Sequence, residues 1–420
     1  MIASSLAAWP TLLSAAEAGR VRHLLAELAE AEWQHRDALI GGLSSGPAGV
    51  AIFLGHLSKL EGFEAWRAPA RELLEQGVAQ IGTLGQSGLY AGFTGVAWAV
   101  EHLQAEVFGP EPEDPNAEVD EVLLDHLDPA TWEGSYDLIS GLVGYGVYAL
   151  ARAHRASGRA LLERVLDLLD ARAIPQDGGV AWMSEERDWS TLAEGRPWTH
   201  RWNLGVAHGI PGVLGLLASL AERGIGGGRA VRLHDAGMAW LRTRIQPEPW
   251  PCLPAWVAVD EVHPAPRSGR VAWCYGDLGA SVVLLGAARR LGRAADERWA
   301  LEMGRRAAAR PIEGAGLRDA CLCHGSFGNA HLFLRLHGMT GEVCHAEAAR
   351  AYFREGLGRH RRGEGFGGFV HELPPVHGLR EEVVQEASAG LLEGAAGIGL
   401  AMLSALGGPG PTWDRCLLPA

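Results

Sequence analysis

The sequence has little of several features that would place a protein in a class at once. Its 420 residues include only six cysteines, no run of lysine and arginine, and no basic stretch ahead of the first apolar residues. The longest apolar segment, GLLEGAAGIGLAMLSALGG at 390–408, contains Glu393 and six glycines. A long uninterrupted hydrophobic run is therefore also missing.

Each of these absences excludes a class of protein. Six cysteines are too few for a disulfide-stapled scaffold, and in a reducing compartment they favour metal or catalytic use. A net charge of -13, from 37 basic and 50 acidic residues, disfavours a nucleic-acid partner. The glycines and the glutamate at 390–408 favour a buried core helix over a membrane span. Without a basic region before the first apolar residues, we predict no secretory signal and a cytoplasmic protein.

What the sequence does contain is a short element that recurs seven times. With 47% hydrophobic residues the chain can bury a large core. A G-x-x-G pair opens each of seven apolar runs, such as VLGLLASLAE, and the first glycines of the pairs are at 46, 92, 141, 209, 276, 325 and 394. The runs are apolar on almost every side, which is typical of buried helices.

Amphipathic segments such as RALLERVLDLLDAR at 159–172 separate the apolar runs. Each unit therefore reads as an outer helix followed by an inner one. An inner helix that is apolar all round needs neighbours on both flanks and a layer behind it. We predict one all-α domain over 1–420, a closed α/α toroid of seven helical hairpins, in which the glycines allow backbones to crowd near the axis and tolerate turns with φ above zero.

Two stretches rich in proline, glycine and tryptophan, 173–203 and 245–270, interrupt the helical rhythm. We predict that they are irregular or β-containing insertions over the active-site face. Their tryptophans are candidates for a peptide-binding surface, with ordinary loop packing as the alternative: Trp182, Trp189, Trp198, Trp202, Trp250 and Trp256. A third interruption, 363–378, is a candidate lid that carries His371 and His377, with purely structural histidines as the alternative.

Residues just before the glycine pairs should meet at one end of the ring, whatever their separation in sequence. These positions hold Cys274 in one repeat and Cys323 with His324 in the next. Two thiols and an imidazole suit zinc, and three protein ligands leave a fourth position for substrate. Cys321 and Cys252 are competing ligands, although neither fits the repeat position as well.

A zinc ion bound by two thiolates is a poor activator of water but holds an incoming thiol as its thiolate. His208, directly before its own glycine, is then a candidate general acid or base, and Asp137 a candidate to orient His208 or a substrate amide. Tyr275 and Arg270 are candidates for hydrogen bonding and for stabilising negative charge. The alternative for Arg270 is surface packing.

These motifs resemble the lanthipeptide cyclases, the LanC-like proteins. The resemblance extends from about Gly42 to Leu403 and depends on YDLISG, AHGIPG, WCYG and CHG together with the recurring G-x-x-G pairs. It implies a seven-fold α-toroid with a small β-containing lobe and a zinc held by two cysteines and a histidine. It also implies that residues matching Asp137, His208, Arg270 and Tyr275 surround the metal.

The resemblance further implies an activity and a set of partners. The activity is addition of cysteine thiols to dehydroalanine or dehydrobutyrine within a precursor peptide, which forms lanthionine or methyllanthionine rings. The implied partners are a leader-bearing dehydrated precursor and a separate dehydratase, with peripheral association with a membrane-bound biosynthetic complex as a further possibility. Neither the precursor nor the proton step served by His208 is fixed by the sequence.

Three alternatives stay open at this point. A relative of the cyclases would add glutathione or another small thiol to modified protein residues. The β subunits of prenyltransferases are also α/α rings with a zinc site, although the repeat signature resembles them less. A peptide-binding scaffold without catalytic activity is the third.

Overall fold

The structure, a computed structural model, describes residues 9–187, 198–248, 251–259, 269–373, 375 and 381–417. These residues form fourteen α-helices. In chain order the helices are α1 (Ala15–Gln34), α2 (Pro47–Leu57), α3 (Arg67–Gln80), α4 (Phe93–Leu103), α5 (Ala117–His126), α6 (Leu142–Ala151), α7 (Ala156–Ala171), α8 (Ile210–Glu222), α9 (Arg229–Arg242), α10 (Asp277–Leu291), α11 (Ala294–Ala309), α12 (Ser326–Thr340), α13 (Val343–Gly358) and α14 (Ala395–Ala405).

The even-numbered and odd-numbered helices differ in how they are buried. The even-numbered helices are buried on nearly every side, as in α8, where all residues from Ile210 to Leu220 are buried. The odd-numbered helices bury one face, as in α7, where the buried residues are mainly leucine and valine and the charged ones lie opposite. The predicted order of an outer helix followed by an inner one is therefore confirmed.

The even-numbered helices form a closed inner ring. Each of them packs against the next along the chain, and α14 packs against α2. Helix α1 packs against α14, and the other odd-numbered helices pack behind the ring. The predicted α/α toroid of seven hairpins is confirmed, with the apolar core between the two layers.

A second ring, made of backbone hydrogen bonds, joins the segments that precede the inner helices. In each of the seven bonds an amide of one segment donates to a carbonyl oxygen of the next, at 2.8–3.4 Å. We call this set the backbone ring: Ser44 to Tyr90, Tyr90 to Ile139, Leu138 to Ala207, Ala207 to Cys274, Trp273 to Cys323, Cys323 to Leu392, and Leu392 to Ser44. It holds equivalent positions of all seven repeats together at one end of the toroid.

The first glycine of each pair is the N-cap of an even-numbered helix. Of the two reasons predicted for glycine there, a positive φ and backbone crowding, crowding is the general one. The expectation of a positive φ is correct for Gly276, at 95°, and wrong for the other six, which are extended. Crowding is the common cause, because a Cβ on Gly325 would meet the backbone of Ala320 and Cys321. The second glycines are crowded too: a Cβ on Gly328 would meet the carbonyl oxygen of Leu322.

Short antiparallel strands lie in the interruptions of the helical pattern. Strands β1 (Ile174–Gln176) and β2 (Gly179–Ala181) form one pair, and β3 (Met183–Arg187), β4 (Trp198–Asn203) and β5 (Trp256–Ala258) form a three-stranded sheet. In that sheet Trp202 is opposite Val257. Strands β6 (His371–Leu373) and β7 (Val384–Glu386) form a second pair. The first five strands fall within 173–203 and 245–270, and β6 falls within 363–378.

Among the described helices, none combines the length and the apolar character needed to cross a membrane.

Candidate metal centre

The backbone ring brings two cysteine sulfurs to the same place. Cys274 and Cys323 each lie two residues before a first glycine, and the amide of Trp273 donates to the carbonyl oxygen of Cys323 at 3.2 Å. One ligand atom from each of Cys274, Cys323 and His324 lies within 4.8 Å of the other two, and all three residues are buried. The structure thus brings together the three residues that were predicted from their positions just before the glycine pairs.

The two thiols shift each other's pKa in opposite directions. A hydrogen bond between them lowers the pKa of Cys274 well below its ordinary range, against the effect of burial, and the hydrogen bond to nearby His324 acts in the same direction. The same hydrogen bond, together with burial, raises the pKa of Cys323. A buried site that favours a thiolate next to a second thiol and an imidazole has the donor set that zinc prefers.

A second cluster adjoins the first and shares His324 with it. It adds Asp319, Cys321 and His371, all buried, again with ligand atoms within 4.8 Å of one another. His371 Nδ1 lies 2.7 Å from Asp319 Oδ2, and the amide of Cys321 donates to Asp319 Oδ1 at 3.0 Å. Burial raises the pKa of the Cys321 thiol, which favours its neutral form. Asp319 therefore holds both His371 and the Cys321 loop beside His324.

Sequence reasoning missed Asp319, although a signal for it existed. Asp319 lies six residues before Gly325, the same register as Arg270 before Gly276. The other competing ligand, Cys252, is part of neither cluster among the described residues. Its amide donates to Asp277 at 2.7 Å, and burial raises the pKa of its thiol to about 12.

Asp137 and His208 form the pair that the sequence suggested. His208 Nδ1 lies 2.6 Å from Asp137 Oδ2. The other carboxylate oxygen of Asp137 accepts hydrogen bonds from the amide and the hydroxyl of Ser140, at 2.9 and 3.2 Å. The Asp137 side chain is 9% exposed and that of His208 is 41% exposed. The carboxylate is therefore fixed, while the imidazole faces an accessible space.

Tyr275 lies beside His208 and is held by a residue that sequence reasoning missed. Their rings are stacked with centroids 6.3 Å apart. The side-chain amide of Asn203, which is fully buried, donates to the Tyr275 hydroxyl at 3.1 Å. This asparagine ends β4 and lies six residues before Gly209, the register that Arg270 and Asp319 occupy before their own glycines. The sequence signal for it was therefore the same as for Asp319.

Two cavities meet at Tyr275. One, of about 980 Å³, is lined by Asp137, His208 and Tyr275 together with Met183 and Ser184 of β3. This volume is in the range of sites that enclose sizeable ligands. The other, of about 700 Å³, is lined by Tyr275 and Arg270 with Trp256 of β5. Both cavities thus have one wall from the helical ring and one from the insertions, and the charge of Arg270 also lowers the pKa of Cys274.

The candidate tryptophan surface is only partly visible. Trp182 and Trp202 are buried in the core, whereas Trp256 lines a cavity and stacks with Arg201 at 3.9 Å. Trp189, Trp250 and His377 lie outside the described residues, and so does the side chain of Trp198. Of the candidate lid, His371 points inward to Asp319.

The fold and the site together define a double-layered α/α toroid with a buried cysteine–histidine centre at one end of its inner ring. Within that class, the family described as lanthionine synthetase C-like protein matches residues 39–418, and the chain belongs to this family. The resemblance inferred from the motifs is confirmed.

The fold also matches that of a solved structure. The structure named nisin cyclase aligns with a TM-score of 0.71 at 19% identity, over 96% of this chain and 98% of that one. Cellobiose 2-epimerase from Spirochaeta thermophila DSM 6192 aligns with a TM-score of 0.46 at 16% identity, over 92% of this chain and 97% of that one, which is too weak a match to support any inference. No curated protein matches the chain in sequence.

Proposed function

We propose that the protein is a zinc-dependent lanthipeptide cyclase, which adds cysteine thiols to dehydroalanine or dehydrobutyrine within a dehydrated precursor peptide. The observation that supports this most directly is the convergence of Cys274, Cys323 and His324, together with a cavity that is lined by the Asp137–His208 pair and by Tyr275, the chain neighbour of Cys274. Membership of the lanthionine synthetase C-like family supports the same reaction, and so does the likeness in fold to a protein named as a cyclase.

In this proposal Cys274, Cys323 and His324 hold the zinc ion. A zinc ion with two thiolate ligands supplies a way to keep a substrate thiol deprotonated and nucleophilic near neutral pH. The donor atoms, their burial and the preference of the pair for a thiolate fit this ion. Asp319 keeps His371 and the Cys321 loop in place beside His324.

The residues of the chain then stabilise the negative charge that forms during the addition and transfer the thiol proton. A new bond joins the substrate sulfur to the β-carbon of the dehydro residue, and the π electrons of the double bond move to its α-carbon and carbonyl oxygen as an enolate. The positive charge of Arg270 and the hydroxyl of Tyr275 stabilise this negative charge. The proton lost by the thiol returns to the α-carbon, so the overall reaction releases nothing.

His208 is the group proposed to carry that proton. Because Nδ1 is bonded to Asp137, proton transfer by His208 takes place at Nε2. Asp137 fixes the ring and stabilises its protonated form. The cavity of about 980 Å³ in front of His208 is large enough for a peptide segment that bears the reacting side chains. A dehydratase that prepares this substrate, peripheral association with a membrane-bound biosynthetic complex and a cytoplasmic location belong to the same proposal.

The test combines turnover with metal content. The purified protein is incubated with a synthetic dehydrated peptide that contains one cysteine, and ring formation is read as loss of thiol alkylation by mass spectrometry. We expect ring formation without added glutathione and one zinc per chain. A requirement for a separate small thiol, with that thiol added to the peptide, would contradict the proposal.

Matched cysteine variants test the ligand set. Cys274→Ala and Cys323→Ala should each lose zinc and turnover. Cys321→Ala, which removes an equally buried thiol from the neighbouring cluster, should keep zinc. The reverse pattern, with zinc lost only from Cys321→Ala, would transfer the metal to the cluster around Asp319.

A further inference from the structure

We infer that residues 411–417 enter the lumen of the ring and, through Tyr90 and Trp273, form a floor that positions Cys274 for metal binding. We call residues 411–417 the lumen segment. This inference rests on the metal site of the proposed function. None of these residues is placed at the reacting atoms, so Tyr90 and Trp273 are positioning residues.

The lumen segment is anchored by a buried ionic cluster. The Asp414 carboxylate accepts two hydrogen bonds from the Arg335 guanidinium, both at 2.6 Å, and lies 2.7 Å from His331 Nε2. The Trp413 indole donates to the Ser404 hydroxyl at 3.2 Å. Arg335 and His331 belong to α12 and Ser404 to α14, so the segment is attached to two inner helices. Trp413, Asp414, Cys416 and Leu417 are all buried.

From the ring end, two aromatic side chains reach this segment. The Tyr90 hydroxyl donates to the carbonyl oxygen of Cys416 at 2.9 Å, and the Trp273 indole donates to that of Leu417 at 3.0 Å. Tyr90 precedes α4 and Trp273 precedes α10, and these two helices are not neighbours in the inner ring. Their rings nevertheless approach to 6.0 Å between centroids. The two side chains therefore meet across the axis.

Trp273 connects this floor directly to the metal centre. Its amide donates a hydrogen bond to the carbonyl oxygen of Cys323, and its indole donates one to the lumen segment. Trp273 also directly precedes Cys274 in the chain. With both ends of Trp273 fixed, the Cys274 backbone has little freedom to turn its sulfur away. A support of this kind is expected to matter for metal affinity, as hydrogen-bonded neighbours of ligands generally do.

The experiment removes one hydrogen bond and measures metal binding. Trp273→Phe keeps a buried aromatic ring but loses the indole N–H. The matched control is Trp182→Phe, because Trp182 is also fully buried and donates its indole to a backbone carbonyl, that of Leu169, at 2.8 Å. Zinc affinity is measured by competition with a chromophoric chelator, and the cobalt-substituted protein reports thiolate coordination in its absorption spectrum.

We expect the zinc dissociation constant of Trp273→Phe to rise about tenfold or more and its cobalt spectrum to change, while Trp182→Phe keeps both. If the Trp273 variant does not fold, Tyr90→Phe removes only the hydroxyl bonded to Cys416 and is expected to weaken zinc binding in the same direction. Equal zinc affinity in the folded variants and the control would overturn this inference alone. Unaltered protein that binds no zinc through Cys274 would overturn the proposed function as well.

Discussion

Two histidine–aspartate pairs of this toroid make nearly the same bond in opposite surroundings. At the ring end, His208 lies 2.6 Å from Asp137 and its side chain is 41% exposed. In the lumen, His331 lies 2.7 Å from Asp414, and neither side chain is exposed at all. The two pairs therefore differ not in the length of the bond but in their access to a cavity.

The two surroundings also impose different electrostatics. Burial lowers the pKa of His331, against the effect of its bond to Asp414, and so favours a neutral ring. Burial would raise the pKa of Asp414, but the charge of Arg335 and the bond to His331 lower it to about 2. A pair of this kind holds structure together. The comparison predicts activity losses at the ring end and stability losses in the lumen.

The largest expected effect is the loss of turnover in His208→Ala. Removing a general acid or base typically costs about 10²- to 10⁴-fold in rate, while the exposed position leaves zinc content and melting temperature unchanged. Ring formation per unit time on a dehydrated peptide is the measurement, and His23→Ala, on an even more exposed histidine, is the control. A variant that retains a tenth of the original rate would remove His208 from proton transfer.

Asp414→Ala should show the opposite pattern. It leaves Arg335 and His331 buried without their carboxylate, for which about 3–5 kcal/mol of unfolding free energy is typical. Urea unfolding followed by circular dichroism measures the loss. Asp167→Ala breaks an exposed pair with Arg229 and should cost less than about 1 kcal/mol. Similar losses in the two variants would show that the lumen cluster is no different from a surface pair.

Asp137→Asn should give a smaller activity loss than removal of the imidazole. The amide cannot stabilise a protonated His208 as the carboxylate does, so we expect about a tenfold to hundredfold fall in rate. The bonds to Ser140 can be kept by the amide oxygen, so stability should hold. A stability loss as large as that of Asp414→Ala, with turnover intact, would make this pair structural as well.

Acid should weaken the lumen pair in a defined direction. The pKa of Asp414 is lowered from 3.8 in the unfolded chain to about 2, so its stabilisation is complete above about pH 4 and disappears as the pH falls towards 2. The lowered pKa of His331 adds a loss of the same sign that begins below about pH 6.5. The carboxylate contribution is about 2 kcal/mol. Unfolding titrations of Asp414→Asn should therefore show a flatter acid branch than those of the unaltered protein.

The toroid and most of the site were accessible from the sequence because the chain repeats. The first glycines mark equivalent positions, and a residue counted back from them has a known place at the ring end. This register predicts that Cys274, Cys323 and His324 lie together. The backbone ring is the physical basis of that register, since each of its seven accepting carbonyls lies two residues before a first glycine.

Residues outside the repeat had no such register. His371 comes from an insertion and reaches Asp319 across 52 positions of sequence. The lumen segment has no helical periodicity, and Leu417 lies 144 positions from Trp273. Contacts of this kind depend on how a loop packs against the helical ring. The periodicity of the sequence carries no information about that packing. The φ of six N-cap glycines was missed for a related reason, because it depends on neighbouring backbone that the pattern does not reveal.

The backbone ring has no first or last member, and this has a consequence for how the molecule opens. An open array of helical repeats frays from its ends, where one interface is missing. Here every repeat has a neighbour on each side, so hydrogen exchange at the ring amides, including that of Cys323, should be slow and nearly uniform around the circle. We therefore expect the loops of the backbone ring to open together rather than one at a time.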